Sequence, residues 1–238
     1  MPKEEEYTEE KIQVLKDIEA VRKRPSMYIG STGPQGLHHL VYEVVDNSID
    51  EVLAGHCQNI ETLIHQDNNI TVLDDGRGIP VEYKPGQKKT ALEVVLTMLH
   101  AGGKFDHDSY LISGGLHGVG LSVVNALSEF LEVEVSREGK IYYQKYKRGK
   151  PVDKLEERGK TSRRGTKIRF VPDPQIFGEV NFSFDTLSHR LRELAFLNKG
   201  LQIKIEDERV NKKHVFKFEG GIVSFVEELN QNREALLC

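Results

Sequence analysis

The sequence predicts a two-layer α+β domain. Two observations carry the prediction. Helical spacings come first along the chain, and the strand-like segments that follow fall mostly in adjacent pairs joined by turn residues, as hairpins do. A doubly wound α/β domain would instead alternate single strands with helices.

With 238 residues the chain is long enough for one large domain with a sizeable core, or for two small ones. Its apolar content of 38% and charged content of 29% suit a water-facing, cytoplasmic protein. No apolar run approaches the ~18 residues that a membrane helix requires, so no membrane partner is expected. The N-terminus carries Glu4, Glu5, Glu6, Glu9 and Glu10 and has no signal or transit character. Cys57 and Cys238 cannot form a metal site alone, and a reducing compartment is the expected setting. A net charge of −4 argues against a protein that coats nucleic acid. Charge is uneven, however: residues 145–169 hold eleven Lys/Arg against Asp153, Glu156 and Glu157. A solvated, flexible hairpin is the expectation there, with a local phosphate-contacting face as the minority reading.

Taken in order, residues 9–22 have Ile12, Leu15, Ile18 and Val21 on one side of a helix that Pro25 follows. Residues 26–36 read as a loop. The next segment, 37–55, is the centre of the chain. Leu37, Leu40, Val41, Val44, Val45, Ile49, Val52 and Leu53 cover most of a helix, and His39, Glu43, Asn47 and Asp50 with Glu51 form a polar stripe at four-residue spacing. The stripe contains no Lys or Arg. It holds carboxylates, an amide and a His one turn before a Glu, groups that activate water and hold a hard cation. Residues 59–65 and 69–74 alternate as a hairpin, and 90–100 is helical. Residues 101–120 form a long glycine-rich stretch, of the length expected of a functional lid or a disordered linker. Residues 118–128 restart a helix, 130–136 and 140–147 pair about a Glu138-Gly139 turn, and 167–171 is a strand. A helix at 185–197, strands at 201–206 and 213–218, and a last helix near Gly221 complete the chain.

The glycine clusters exclude two common phosphate loops. Met98 and Phe105 occupy places where a P-loop needs Gly and Ser/Thr, and Val81 and Val123 break the dinucleotide fingerprint after Gly78 and Gly120. Gly114 to Gly120, read Gly-Gly-Leu-His-Gly-Val-Gly, remain either as a flexible loop or as a backbone nest that leads into a helix N-terminus, an anion cradle. Lys104 could add a mobile charge. Asp74 stands at a strand end before Gly76 and Gly78, where a carboxylate can accept from an exocyclic amine.

Four pieces in order, Glu43 with Asn47, Asp74-x-Gly76-x-Gly78, Gly115 to Gly120, and Gly165-Thr166, resemble the boxes of the GHKL ATP-binding family. That family includes DNA gyrase, the ninety-kilodalton heat-shock chaperone, histidine kinases and MutL proteins. Longer stretches (RKRPSMYIG at 22–30, DDGRGIP at 74–80, AGGKF at 101–105) are similar to the N-terminal ATPase domains of DNA gyrase B subunits or their topoisomerase IV counterparts. The resemblance implies a mixed, largely antiparallel sheet with helices on one face. It also implies an N-terminal dimerisation arm over 1–15, the ATP-binding domain over 16–230, and a C-terminal piece at 231–238 leading toward an absent transducer domain.

By the same resemblance Glu43 is the general base toward the γ-phosphate, His39 orients it, and Asn47 is the Mg2+ ligand. Asp74, with Thr166, would take the adenine. Asp50, Gly78, Ile79 and Leu121 complete the nucleotide contacts. Lys104 and the backbone of Gly115, Leu116, His117, Gly118, Val119 and Gly120 would hold phosphate. Tyr7 would reach the nucleotide of a partner subunit, and Arg77, Pro80 and Arg137 match the rim where coumarin-type inhibitors bind. ATP, a homodimer closed by the N-terminal arm, the gyrase A subunit and DNA are the implied partners. An ATP-binding piece with little turnover of its own is the alternative from another class. A histidine kinase is rejected, because the Leu187-Ser-His189 stretch follows the ATP boxes and lacks the acid after its His.

Overall fold

The computed structural model describes residues 17–101 and 118–222, with 226 and 230. Elements are α1 (Asp17–Lys23), α2 (Ser26–Ile29), α3 (Pro34–Leu53), β1 (Asn59–Ile64), β2 (Ile70–Asp74), α4 (Ala91–Thr97) and α5 (Gly120–Leu127). They continue with β3 (Ser128–Arg137), β4 (Lys140–Lys147), β5 (Lys150–Pro151), β6 (Glu156–Lys160), β7 (Gly165–Pro172), α6 (Pro174–Phe177), α7 (Phe184–Leu197), β8 (Gln202–Asp207) and β9 (Lys212–Lys217). The described strands form one sheet in the order β5-β4-β3-β7-β2-β1-β8-β9, with β6 also on β4. Every pairing is antiparallel except β1 with β8. This is the expected mixed, largely antiparallel α+β sheet. Helices α3, α5 and α7 pack on it, and α1 and α4 pack on α5.

The helix centred on residues 37–55 starts earlier than its apolar spacing suggests. Gly33 is the N-cap and Pro34 the first helical residue, where its missing N–H costs nothing. Gly36 lies within the helix instead of before it. A Cβ there would stand 1.7 Å from the Ser31 carbonyl oxygen, so the close approach of the preceding loop requires glycine. That loop contains the short helix α2, which the sequence pattern does not separate. α3 buries Leu37, Leu40, Val41, Val44, Val45 and Ile49 completely or nearly so. Against them the sheet presents Ile60, Ile64, Val133, Ile168 and Phe170, and the resulting single core fixes α3 over the centre of the sheet.

The hairpins follow their turn chemistry. β3 and β4 join through Glu138 (φ 53) and Gly139 (φ 78), and β4 and β5 through Arg148 (φ 49) and Gly149 (φ 82). Two residues with positive φ give the tight turn whose twist matches paired strands. α4 is capped by Thr90, which accepts from the Glu93 N–H at 3.2 Å, and α7 by Ser183, which accepts from the Thr186 N–H at 3.2 Å. The basic stretch at 145–169 is solvated as expected, but it is built into the sheet: β5, β6 and most of β7 come from it. Among the described residues no helix is long and apolar enough to cross a membrane.

Candidate nucleotide site

At the C-terminal end of β2 the chain turns sharply through Asp74 and Asp75, two adjacent carboxylates with opposite fates. Asp74 is buried. Its Oδ1 accepts the backbone N–H groups of Gly76 (3.0 Å) and Thr166 (3.1 Å), and its Oδ2 accepts the Ser48 hydroxyl at 2.9 Å. Burial raises its pKa to about 6, against the lowering effect of these three donors, and the nearby Glu51 carboxylate adds to the rise. Asp75 is also raised by burial, but donors from Asn59 and Gln58 outweigh that and hold it below the usual carboxylate range. Its Oδ1 takes the N–H groups of Gln58 (2.7 Å) and Asn59 (3.0 Å), and its Oδ2 takes the Asn59 amide at 2.7 Å. Asp75 ties β1 to the turn. Asp74 keeps acceptor capacity on Oδ2 in a dry setting, which suits a ligand N–H.

Glycines let backbone close around Asp74. A Cβ at Gly165 would lie 2.0 Å from the Asp74 carbonyl oxygen, and Gly165 has φ +129. Gly78, at φ +78, would place a Cβ 3.0 Å from Val135 Cγ1. The Gly78 carbonyl accepts from Arg137 Nη1 at 3.1 Å, and the Ile79 N–H donates to Thr166 Oγ1 at 3.4 Å. Arg77 is clamped by Glu51, with Nε to Oε2 at 3.0 Å and Nη2 to Oε1 at 2.9 Å. This ion pair draws Glu51, placed by spacing on the polar stripe, onto the turn after β2 and fixes the Arg77 guanidinium there. Asp74, Arg77, Gly78, Ile79, Arg137 and Thr166 thus form one connected wall, and exposed Pro80 continues its rim.

The second part of the site lies along α3. His39 Nε2 stands 3.0 Å from Glu43 Oε1, and that hydrogen bond raises the His39 pKa above 6.5 despite partial burial. Both side chains are partly open to solvent, unlike Asp74. Glu43 meets the start of α5. A Cβ at Gly120 would stand 2.1 Å from Glu43 Oε2, so the absence of a side chain at Gly120 makes room for the carboxylate. Gly118 (φ 60) and Val119 lead into this helix, and Leu121 is buried beneath it. Asn47, one turn after Glu43, is half-buried and makes no side-chain hydrogen bond among the described residues. Asp50, placed by its spacing on the polar stripe, is closed into the protein at 1% exposure. Tyr7, Lys104, Gly115, Leu116 and His117 lie outside the described residues.

α3 therefore carries both parts. Glu43 and Ser48 are five residues apart, roughly 7.5 Å of helix rise. Ser48 was invisible in the sequence, because a serine inside a helix has many bland roles. His38, although adjacent to His39, is buried and does different work. Its Nδ1 lies 2.6 Å from the Pro34 carbonyl, and its Nε2 accepts from the Ser183 N–H at 2.8 Å. Both ring nitrogens serve the packing of α3 against the start of α7.

This arrangement coincides with a known family pattern. Residues 32–176 match the model of the histidine kinase-, DNA gyrase B- and HSP90-like ATPases. The chain belongs to this ATPase family. Among its relatives, the DNA gyrase B subunit of Thermotoga maritima is 61% identical over 98% of this chain and 36% of its own length. That of Clostridium acetobutylicum is 59% identical over 98% of this chain and 37% of its own. Among solved structures, the 43K ATPase domain of Thermus thermophilus gyrase B, in complex with an aminocoumarin, superposes with a TM-score of 0.83. It is 41% identical and matches 93% of this chain and 57% of that one. The chain spans little more than a third of the length of the curated relatives it matches. His189, rejected as a phosphoacceptor, is an exposed helix position paired with Glu193 at 3.4 Å.

Proposed function

We propose that this chain is the ATP-binding and ATP-hydrolysing domain of a DNA gyrase B subunit. In the longer protein it would close a nucleotide-gated dimer and, with the gyrase A subunit, drive negative supercoiling of DNA. The names of the relatives favour gyrase over its topoisomerase IV counterpart. The observation that carries the reading is that one helix, α3, holds a His–Glu dyad at one point and, one and a half turns on, a hydroxyl anchored to a buried carboxylate with spare acceptor capacity. That spacing separates an adenine contact from a phosphate-end base.

Asp74 accepts the adenine amino group on Oδ2 while Thr166 holds the opposite side of the turn. Glu43 takes the proton of the water that attacks the γ-phosphate, and His39 orients Glu43. Partial exposure leaves the Glu43 carboxylate reachable by that water. Gly118, Val119 and Gly120 present backbone at the start of α5 to the phosphates, with Lys104 and Gly115 to His117 completing the cradle. Asn47 fits a magnesium ion: its amide oxygen is a hard donor, uncommitted to any described residue and one turn from the base. Bound there, Mg2+ would neutralise charge on the β- and γ-phosphates. Tyr7 and the arm over 1–15 serve the partner subunit, and Arg77, Pro80 and Arg137 form a rim for coumarin-type inhibitors.

The test separates chemistry from binding. In the longer chain, Glu43→Ala is expected to cut ATP turnover by at least ~100-fold while ATP affinity stays within a few-fold. Turnover at the parent rate would remove Glu43 from the role of base.

A further inference from the structure

Helix α1 holds the chain on both sides of the segment that separates α4 from α5, and one of its side chains completes α5. Asp17, its first residue, accepts the Leu99 N–H on Oδ1 at 3.1 Å, just after α4. Arg22, in its last turn, reaches the C-terminal end of α5, 104 positions along the chain. There its Nη1 donates to the Ala126 carbonyl at 2.7 Å.

An α-helix leaves its last four carbonyls without partners of its own. In α5 these belong to Val124, Asn125, Ala126 and Leu127, and each is met. Ser128, next in sequence, serves the first two: its hydroxyl donates to the Val124 carbonyl at 2.7 Å and its N–H to that of Asn125. The last two are served from far away, Ala126 by Arg22 and Leu127 by the Asp173 N–H at 2.9 Å. These two distant residues are themselves joined, because Arg22 Nη2 donates to the buried Asp173 carboxylate at 2.7 Å. α5 has no basic residue in its own last turn, so Arg22 is the cation at the negative end of its dipole. Arg148 Nε also donates to Asp173, at 2.9 Å, but its side chain makes no hydrogen bond to α5 among the described residues.

What is fixed at one end of α5 is felt at the other. Ala126 lies six residues from Gly120, roughly 9 Å of helix rise. Leu121 to Leu127 are all buried, so in a close-packed core the helix shifts as a body. At Gly120 a Cβ would stand 2.1 Å from Glu43 Oε2, so a slide of about an ångström remakes that contact.

We infer that Arg22, which lies outside the nucleotide site, is a positioning residue for it. By capping the C-terminal end of α5 it sets where the N-terminal end meets Glu43 and the phosphates. The inference rests on the ATPase reading proposed above. Because Arg22 acts through α5, its loss should be felt at the phosphate end of a ligand and not at the adenine.

The test compares two truncations, Arg22→Ala and Arg148→Ala, each of which takes one arginine from Asp173. Calorimetry reads the affinity for a non-hydrolysable ATP analogue with Mg2+, and NMR titration reads that for adenosine. Arg22→Ala is expected to bind the analogue at least ~10-fold more weakly than the parent while adenosine affinity stays within ~3-fold. Arg148→Ala should stay within ~3-fold for both ligands, although its Tm falls as well. Without ligand, the His39 ring signals should move in Arg22→Ala, because Glu43 faces Gly120, and stay in place in Arg148→Ala. If Arg22→Ala does not fold, Arg22→Lys keeps the cation on one nitrogen instead of two, and an analogue loss of about 3-fold is expected. Equal losses of analogue and adenosine, or equal analogue losses in the two arginine variants, overturn the inference. A parent that binds neither ligand overturns the ATPase reading instead, and unmoved His39 signals in Arg22→Ala would then remove Arg22 from the positioning of Glu43 as well.

Discussion

The two parts of the candidate site are built on opposite physical plans. Around Asp74 everything is closed: three donors, a buried carboxylate, and glycines that admit backbone within van der Waals range. Around Glu43 the groups are half open, held by one His and by the empty space at Gly120. A recognition contact gains from dryness and fixed geometry, because a ligand lacking the matching donor leaves a buried acceptor unpaired. A base that works on water must remain reachable by it. On the proposed assignment, the closed end serves binding and the open end serves chemistry.

Three changes break or sharpen this contrast, in decreasing size of effect. Gly120→Ala puts a methyl group where Glu43 Oε2 now lies, so the carboxylate must swing away. Turnover by the longer chain is expected to fall roughly 100-fold, the scale of an ångström-level misplacement, with a near-normal melting curve because the Glu43 side chain can move. An unchanged rate would show that the Glu43 position is not critical. Ser48→Ala acts at the closed end. It removes one donor from ionised Asp74, so the Asp74 midpoint in an NMR carboxyl titration should rise above about 6. ATP-analogue affinity at pH 7 should drop roughly 10-fold, about one charge-assisted hydrogen bond. The smallest change is Glu43→Gln, read at His39. Its raised pKa means that the dyad's stabilisation is fully present below pH 6.5 and fades as pH rises through the raised value. Without the Glu43 carboxylate, the His39 ring signals should titrate at a lower pH than in the parent.

Much of this was legible in the sequence, and the rest was hidden for identifiable reasons. α3, α5, α7 and the β1–β2 and β3–β4 hairpins follow from local periodicity and from turn residues such as Glu138-Gly139. α2 and α6 are single turns with too few residues to show a period. β6 reads Glu-Glu-Arg-Gly-Lys, with no apolar alternation, and is a strand only because β4 offers it an edge. The parallel pairing of β1 with β8 joins segments about 140 residues apart, which local patterns do not register. In the site, Glu43, Asn47 and Asp74 were visible as residue types in a known order. Ser48 and the need for glycine at Gly120 depend on what approaches from another element. Asp50 was placed on the polar stripe by spacing alone, and the fold buries it.

Asp74 offers the most direct measurement. Its folded pKa of about 6 lies above the ordinary 3.8, so its favourable contribution is complete below pH 4 and lost as pH rises through 6. At neutral pH the ionised group then costs the empty fold up to about 3 kcal/mol, the free-energy equivalent of that gap. Asp74→Asn keeps an acceptor for Gly76 and Thr166 and an amide for Ser48, yet replaces the ionised acceptor that an adenine amine would need. Calorimetric titration with a non-hydrolysable ATP analogue at pH 7.5, beside a thermal melt, reads both consequences. The expected result is saturable binding by the parent, affinity reduced by at least ~100-fold in Asp74→Asn, and a variant Tm equal to or above the parent's. Parent-like affinity in a folded Asp74→Asn protein would contradict the assignment of this pocket to the adenine.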